Sequence, residues 1–276
     1  FLLIFLLPAL ALAQETAVPG PDARVYLDLT FAGDLMAHKP NWEMDDFGRI
    51  HVRLASFLRQ DDLSFINLET PVDNDAPWAT YPAFNVHSPY VEAAIAAGFD
   101  VFSLANNHSY DRYGKGTRAT AEAMDALAAE AGKRGRMVAH SGLRAPGSSP
   151  ETPMEVRTIE LKGLRIGFLA ITEYMNFHTH DGMTYHVNYL DKEVRDSFLE
   201  WLKVQAPRWD LFVLSLHTGV EYERSPTKAF RDFADDVVAA GADIVWAHHP
   251  HVLQPWYVVP GPDGGDRLVM ASMGNY

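Results

Sequence analysis

Short apolar runs alternate with amphipathic segments from Val25 onward, and this alternation limits the possible folds more than any other feature of the sequence. The apolar runs have the length of buried strands, and the segments between them have the length of helices. A chain with this pattern packs its helices against the faces of sheets and is predicted to be an α/β sandwich. The predicted strands are residues 25–32, 63–67, 101–105, 165–171, 211–216, 243–247 and 268–271.

Serine, proline and glycine mark where helices and one turn are predicted. Ser88-Pro89 is expected to begin a helix, because serine caps helix N-termini and proline is tolerated in the first turn. Lys162-Gly163 separates two apolar stretches, residues 154–161 and 164–171, and therefore predicts a β-hairpin. The predicted helices are residues 88–98, 116–132 and 225–241.

The first 13 residues form an apolar run that closes on Ala11-Leu12-Ala13, the small-x-small pattern that signal peptidase cuts. We therefore predict a signal peptide over residues 1–13, a polar linker over 14–24 and one domain over 25–276. The run is shorter than the roughly 20 residues of a membrane span, and no second apolar span follows. The mature protein is expected to be exported, to the periplasm, the cell surface or the extracellular space. Both ends of the sequence are expected to be truncated.

Charge and composition exclude several classes of function. Acidic residues number 36 and basic residues 23, for a net charge of −13. This excess opposes binding to nucleic acid, which is itself a polyanion, so no nucleic-acid partner is predicted. The sequence contains no cysteine, which excludes disulfides, thiolate zinc sites and thiol nucleophiles. Twelve histidines remain, with carboxylates and amides, for any metal chemistry.

Polar side chains that bind metals in other proteins follow several of the predicted strands, at the edge where α/β proteins bind ligands. Asp34 follows the first strand beside Gly33, which has no side chain and is expected to allow a tight turn. Asn67 and Glu69 follow the second strand, and their spacing places both on one face of an extended segment. Taken singly, each of these residues is equally well explained as a cap or turn residue.

The string ANNHSYD follows the third predicted strand and contains His108 and Asp111. Burying four polar groups at a strand end costs free energy unless each has a partner, and a metal with its water is one efficient partner. His217 ends the strand at 211–216, with Glu221 and Tyr222 close behind. A lone histidine at such a position is more often a hydrogen-bonded structural residue than a ligand.

Three histidines occupy four positions in HHPHVLQP, after the strand at 243–247. The His-x-His spacing of His249 and His251 lets two imidazoles of an extended segment face the same side. Carboxylate, amide and imidazole donors without thiolate suit divalent Mn, Zn or Fe. The sequence therefore predicts one or two divalent metal ions. A pair of ions bridged by a carboxylate lies about 3.5–4 Å apart and supports hydrolysis at phosphorus.

The strings GDLM, NLETPV, SLANNHSYD, HTGVEY, HHPHVLQP and SMGNY, in this order, resemble the CapA family of capsule-synthesis proteins. That family is linked to bacterial poly-γ-glutamate production and lies within the calcineurin-like metallophosphoesterase superfamily. The resemblance extends over about residues 27–276. It implies the metallo-dependent phosphatase fold, a four-layer α/β/β/α sandwich of two mixed sheets flanked by helices, with a metal site at the strand ends.

The resemblance also implies a role for each residue of the site. Asn107, His217 and His249 would hold one ion, Asp34 and His251 the other, and Glu69 would bridge the two. His108, oriented by Asp111, would stabilise charge or protonate the leaving group.

Three departures from the superfamily pattern affect this site. Ser109 stands where a carboxylate often follows the Asn-His pair. Met36 stands where the first motif usually carries a histidine ligand, and its thioether suits a hard ion poorly. Glu69 is one methylene longer than the usual bridging aspartate. His38 lies close by in sequence, four positions after Asp34.

Three functions are consistent with these observations. The first is an exported CapA-like protein that supports synthesis, export or attachment of an anionic capsular polymer of the poly-γ-glutamate type, with a phosphoesterase-type metal site. The second is a general extracellular metal-dependent phosphoesterase. The third is a non-catalytic module that binds the polymer or a membrane synthase complex, and Met36 favours it. The expected partners are therefore an anionic polymer or phosphoester substrate and a membrane synthase.

Overall fold

The computed structural model describes residues 24–145, 147–149, 152–176 and 186–276. The predicted signal peptide, residues 1–13, and the predicted linker except Arg24 lie outside these residues. The strands are β1 (Leu29–Leu35), β2 (Leu63–Leu68), β3 (Val101–Ser103), β4 (Ala139–Ser141), β5 (Arg157–Leu161), β6 (Leu164–Thr172), β7 (Leu211–His217), β8 (Ile244–His248), β9 (Trp256–Pro260) and β10 (Asp266–Met270). The α-helices are α1 (Lys39–Trp42), α2 (Gly48–His51), α3 (Ala55–Leu58), α4 (Ser88–Ala97), α5 (Tyr113–Lys133), α6 (Arg195–Gln205) and α7 (Lys228–Ala239).

Two sheets form the centre of the fold. The smaller has the strand order β1-β2-β3-β4 and the larger the order β5-β6-β7-β8-β10-β9. All pairs in the smaller sheet are parallel. The larger sheet is mixed, because β5 pairs with β6 and β9 with β10 in antiparallel fashion.

Four layers result from the packing of helices on these sheets. Phe65 of the smaller sheet packs between the sheets against Phe168 and Trp246 of the larger one, with ring centroids 5.8 and 6.0 Å away. Residues of α4 and α5 share a buried apolar cluster with the outer face of the smaller sheet. Residues of α6 and α7 do the same on the larger sheet. Burial of both faces explains why these strands are continuous apolar runs in the sequence.

The predicted α/β/β/α sandwich is confirmed, with one difference. Among the described residues, antiparallel pairs occur only in the larger sheet. The smaller sheet is therefore parallel, whereas the prediction was that both sheets are mixed. The predicted hairpin at Lys162-Gly163 is the β5–β6 pair. Each predicted strand and helix has an observed counterpart. The sequence predicted no element in the segments that form α1, α2, α3, α6, β4 and β9.

The first strand differs most from its prediction. It begins at Leu29 and continues through Asp34 to Leu35, so Asp34 lies within the strand rather than beyond it. The pairing with β2 shifts register between Phe31 and Asp34. Gly33 is needed for a different reason from the tight turn that was predicted: a Cβ there would lie 1.8 Å from the carbonyl oxygen of Gly274.

No helix in the described ranges combines the length and the apolar character that a membrane crossing requires.

Candidate metal centre

The predicted site residues lie at or just beyond the carboxyl ends of parallel strands of both sheets. Asp34 is near the end of β1, Glu69 follows β2 directly, and Asn107 and His108 follow β3. His217 is the last residue of β7. The residues contributed by the six-stranded sheet are His217, His249 and His251. All except His251 are buried, and the side chain of His251 is only 6% exposed.

Asp34 and Glu69 form a buried carboxylate pair that Asn67 connects. The Asn67 Nδ2 donates to Asp34 Oδ1 at 2.8 Å and to Glu69 Oε2 at 3.3 Å. Burial raises the pKa of Glu69 well above its ordinary value, and the negative charge of Asp34 raises it further. Burial also acts to raise the pKa of Asp34, but the hydrogen bond from His251 and the charges of His248 and His251 outweigh it and lower that pKa. Glu69 is therefore the member of the pair that retains a proton unless a cation neutralises it.

The Oε1 atom of Glu69 lies between imidazoles from two directions. It is 3.7 Å from His251 Nε2 and 3.9 Å from His217 Nε2. This oxygen is buried and has no hydrogen-bond partner, and the same is true of His249 Nδ1. Unpartnered buried polar atoms are rare because they cost free energy, so they call for a ligand that satisfies them. The residues present therefore fit a metal centre.

Two donor groups share Glu69. The ligand atoms of Asp34, Glu69 and His251 lie within 4.8 Å of one another, and so do those of Glu69, His217 and His249. These are the two half-sites, with Glu69 between them, that the family resemblance implied. The structure thus brings the predicted residues together, and their roles as ligands remain predictions.

Asn107 and His217 are in direct contact. His217 Nε2 lies 2.9 Å from Asn107 Oδ1, and His217 Nδ1 lies 2.6 Å from His248 Nδ1. Beyond it, His248 Nε2 is 2.7 Å from the hydroxyl of Ser215. Such a chain fixes the orientation of the His217 ring from behind the site.

Burial keeps three of the site's imidazoles neutral. It lowers the pKa of His248 and His249 to about 4, and that of His217 well below its ordinary value with help from the neighbouring histidines. The neutral ring is the form that binds a metal. His251 differs, because its hydrogen bond to Asp34 outweighs burial and raises its pKa.

His108 and Asp111 form a second buried pair beside the carboxylates. His108 Nδ1 lies 2.7 Å from Asp111 Oδ2, which also accepts a hydrogen bond from the Phe84 backbone at 2.8 Å. Burial raises the pKa of Asp111, and the contact with His108 opposes that rise. The other ring nitrogen of His108, Nε2, lies 3.2 Å from the Asn176 Nδ2 atom.

A cavity of about 440 Å³ opens onto these groups. It is lined by Met36, His38, Tyr81, Pro82, Asn107, His108, Asn176, Glu221, Tyr222, His251 and Asn275. Met36 therefore faces the site, as its place in the sequence motif predicted. His38 also lines the cavity, but it belongs to none of the donor groups found among the described residues.

Several residues around the site were not predicted as members of it. His248 was part of the recognised histidine cluster, but its inward orientation depends on the β7–β8 register. Asn275 is 2.9 Å from His251 Nδ1. Asn176 accepts from Asn107 Nδ2 at 3.1 Å, and no sequence signal distinguishes it. Glu221 was noted only as a neighbour of His217.

Comparison with known proteins finds two curated relatives of this chain. The "Capsule biosynthesis protein CapA" of Bacillus anthracis is 27% identical over 270 residues, which cover 91% of this chain and 59% of that protein. The "PGA biosynthesis protein CapA" of Bacillus subtilis (strain 168) is 28% identical over 268 residues, covering 93% and 65%. The chain thus spans about three-fifths of the length of the curated relatives it matches.

Among solved structures, a 5'-nucleotidase precursor from Thermus thermophilus matches 90% of this chain and 49% of its own, with a TM-score of 0.49 and 15% identity. The curated relatives confirm the sequence resemblance to the CapA family. A family model described as "Bacterial capsule synthesis protein PGA_cap" matches residues 28–276, nearly the whole of the described chain. The chain therefore belongs to the PGA_cap family of bacterial capsule synthesis proteins.

Proposed function

We propose that this chain is exported, binds one or two divalent metal ions, and cleaves or transfers a phosphoester-type bond during synthesis, export or attachment of an anionic capsular polymer. The observation that carries the proposal is the buried Oε1 of Glu69, which has no hydrogen-bond partner and lies between His251 and His217. A carboxylate in that position is expected to bridge two ions. Manganese, zinc and iron suit this donor set.

Metal binding and proton transfer would be carried out by separate groups of residues. Asp34, Glu69 and His251 would hold one ion, and Asn107, His217 and His249 would complete the other position with Glu69. When bound, the ions supply an activated water and neutralise charge on a phosphoryl oxygen. His108 would pass a proton from Nε2 to the leaving group, and Asp111 would hold its ring and stabilise the imidazolium.

The walls of the cavity fit this division of roles. None of the described residues that line it is lysine or arginine. An anionic substrate would therefore depend on the ions for charge complementarity, with amide and imidazole groups of Asn176, Asn275 and His38 as hydrogen-bond partners. The chain carries a net charge of −13, so polyanion contact is expected to be confined to the cavity.

The family and the names of the relatives support the polymer as the biological partner. We extend the proposal to residues 25–276 as the functional domain, to a membrane synthase as its partner, and to a location outside the cytoplasmic membrane. Because the chain spans only part of the relatives' length, their whole activity is not carried over.

Hydrolysis of p-nitrophenyl phosphate and bis(p-nitrophenyl) phosphate tests the chemistry. We expect turnover with Mn²⁺ that falls by at least about 100-fold in His217→Ala and Asp34→Asn. His140→Gln is the matched control, since this histidine of β4 contacts Asp125 away from the site. No turnover of either ester by metal-loaded protein contradicts the phosphoesterase chemistry.

Deletion of the gene tests the role in capsule formation. We expect surface polymer to be lost and to be restored by the unsubstituted chain but not by Asp34→Asn. A non-catalytic module, the alternative that Met36 favours, predicts instead that Asp34→Asn restores normal polymer. Turnover of the esters combined with unchanged polymer on deletion would support a general phosphoesterase.

A further inference from the structure

We infer that Glu221 is an additional ligand of the metal centre, which supplies on the His251 side the donor that Met36 cannot provide. The inference rests on the proposed metal centre and deepens it by assigning a residue and a class of ion. The sequence placed Glu221 only near His217.

The turn that carries Glu221 is fixed against the histidine turn after β8. The Thr218 backbone N–H donates to the carbonyl of His248 at 3.0 Å, and the Tyr222 N–H donates to the carbonyl of Pro250 at 2.8 Å. Tyr222 adopts a left-handed conformation, with φ 64°, to make this contact. An ordinary residue held at positive φ stores strain, which the surrounding contacts must support. Glu221 is thus held beside Pro250 from both ends of the turn.

The carboxylate of Glu221 reaches the histidines of the site. Its ligand atom and those of His249 and His251 lie within 4.8 Å of one another. The His249 Nδ1 atom is buried without a hydrogen-bond partner. Glu221 itself is exposed and lines the cavity, so its side chain can adjust toward an ion without repacking the core.

His38 is the other residue near Met36 with a suitable side chain. It lines the same cavity, and its ring lies against Phe84 with centroids 5.3 Å apart. No donor group of the described residues includes it, whereas Glu221 belongs to one that contains His251. The geometry therefore favours Glu221 over His38 as the replacement ligand.

Replacing a histidine with a glutamate changes which ion the centre prefers. His251 belongs both to the group of Asp34 and Glu69 and to the group of Glu221 and His249. With His249 assigned to the other ion, this half of the centre would present three carboxylates and the imidazole of His251. Carboxylates suit hard ions such as Mn²⁺, and imidazole suits Zn²⁺. We therefore expect this half of the centre to select Mn²⁺ over Zn²⁺.

Titration of the chelator-treated full chain with Mn²⁺, followed by the electron paramagnetic resonance signal of free Mn²⁺, tests the inference without an activity assay. Glu221→Gln is expected to raise the dissociation constant of one bound Mn²⁺ ion by at least about tenfold. Glu223→Gln, an exposed glutamate of the same segment, should match the unsubstituted chain. Adding Met36→His to Glu221→Gln should restore the lost ion and shift its preference toward Zn²⁺.

The possible results distinguish failure of this inference from failure of the proposed metal centre. If Glu221→Gln leaves the number of bound ions and every dissociation constant within about twofold of the unsubstituted chain, Glu221 is not a ligand, while the metal centre stands. If the unsubstituted chain binds no Mn²⁺, the metal centre and the inference both fail. Circular dichroism of each variant checks that the fold is retained.

Discussion

Glu69 shows at the scale of one residue how a functional site opposes stability. Its carboxylate is fully buried beside that of Asp34, and one of its oxygens has no hydrogen-bond partner. Burial removes hydration from both groups, and the charge of Asp34 opposes ionisation of Glu69, a combination that a packed core would avoid. A residue that is unfavourable for folding is well placed for binding a cation.

This argument predicts that Glu69→Gln stabilises the metal-free protein. The substitution removes a buried ionisable group next to Asp34, and we expect the free energy of unfolding to rise by about 1–3 kcal/mol. The further stabilisation on adding Mn²⁺ should be lost in the same variant. Urea unfolding in the presence of a chelator, and again with an excess of Mn²⁺, measures both effects.

Glu173→Gln is the matched control for that prediction. Glu173 is a buried carboxylate that is fully partnered: Arg195 donates to one of its oxygens at 2.6 Å and Thr218 to the other at 2.6 Å. The same chemical change there should destabilise the fold. Equal effects of the two substitutions would contradict the account of Glu69.

Gly33→Ala is predicted to destabilise the protein by about 2 kcal/mol or more, because the new Cβ would meet the backbone of Gly274. Gly132→Ala provides the control, since a Cβ there has no atom within 4 Å and alanine is favoured in a helix. Thermal unfolding of both variants measures the difference. A Tm for Gly33→Ala equal to that of the unsubstituted chain would mean that residues 273–276 move away at little cost.

At the scale of elements, the structure ties short helices near the N-terminal end of the fold to the last residues of the chain. His51, at the end of α2, has its Nδ1 2.9 Å from the hydroxyl of Tyr276, and their rings stack with centroids 5.4 Å apart. Tyr276 N–H in turn donates to the carbonyl of Asp34 at 3.1 Å. The helix thus braces the segment that packs on Gly33.

The burial of His51 predicts that the free energy of unfolding depends on pH. Burial lowers the pKa of His51 to about 4, whereas the unfolded chain holds it near 6.5. The contribution of His51 to stability is therefore complete above pH 6.5 and is lost as the pH falls toward 4, because the unfolded state binds the proton first. The slope from this one group is at most about 1.4 kcal/mol per pH unit.

Urea unfolding of His51→Gln and the unsubstituted chain between pH 4.5 and 7.5 checks this prediction. As the pH falls, the free energy of unfolding should decrease less steeply for the variant than for the unsubstituted chain. The buried histidines of the site contribute equally to both chains. Parallel curves would mean that His51 titrates normally in the folded protein.

Which elements could be predicted from sequence depended on their burial. Strands such as β2, buried at every residue, are apolar runs that no surface helix would have. The β9 strand alternates between exposed and half-buried residues, lies at a sheet edge, follows Pro255 directly and ends at Pro260, so its signal is weak. The β4 strand has only three residues, too few for a pattern.

For the whole molecule, the two sheets contribute comparable shares of the site. Asp34, Glu69 and Asn107 come from the four-stranded sheet and its loops, and the three imidazoles of the proposed ligand set come from the other sheet. An ion held between them would connect the layers in a chain without disulfides. Metal binding should therefore stabilise the packing of one sheet on the other.

We expect Mn²⁺ at 100 times its dissociation constant to add about 2.7 kcal/mol to the free energy of unfolding. For a chain of this size the corresponding rise in Tm is about 5 °C. Differential scanning calorimetry with Mn²⁺ and with excess chelator measures the rise, and His217→Ala should lack it. An equal Tm under both conditions in the unsubstituted chain would contradict the linkage.

Sequence motifs predicted that distant segments meet at the site, but they did not predict every residue that lies around it. The polar residues that follow apolar strands indicated that Asp34, Glu69 and His217 lie where α/β proteins bind ligands. The inward position of His248 and the reach of Glu221 depend on strand register and on backbone contacts between loops. Those contacts leave no periodic signal in the sequence.

The division of the donors between the two sheets also determines when the ligand set becomes complete during synthesis. Carboxylate and amide donors leave the ribosome first, and every imidazole of the predicted ligand set comes after residue 210. A chain whose residues 217–251 have not yet been synthesised, or have not yet crossed a membrane, therefore cannot assemble the full ligand set. Acquisition of the metal would follow the synthesis and folding of those residues.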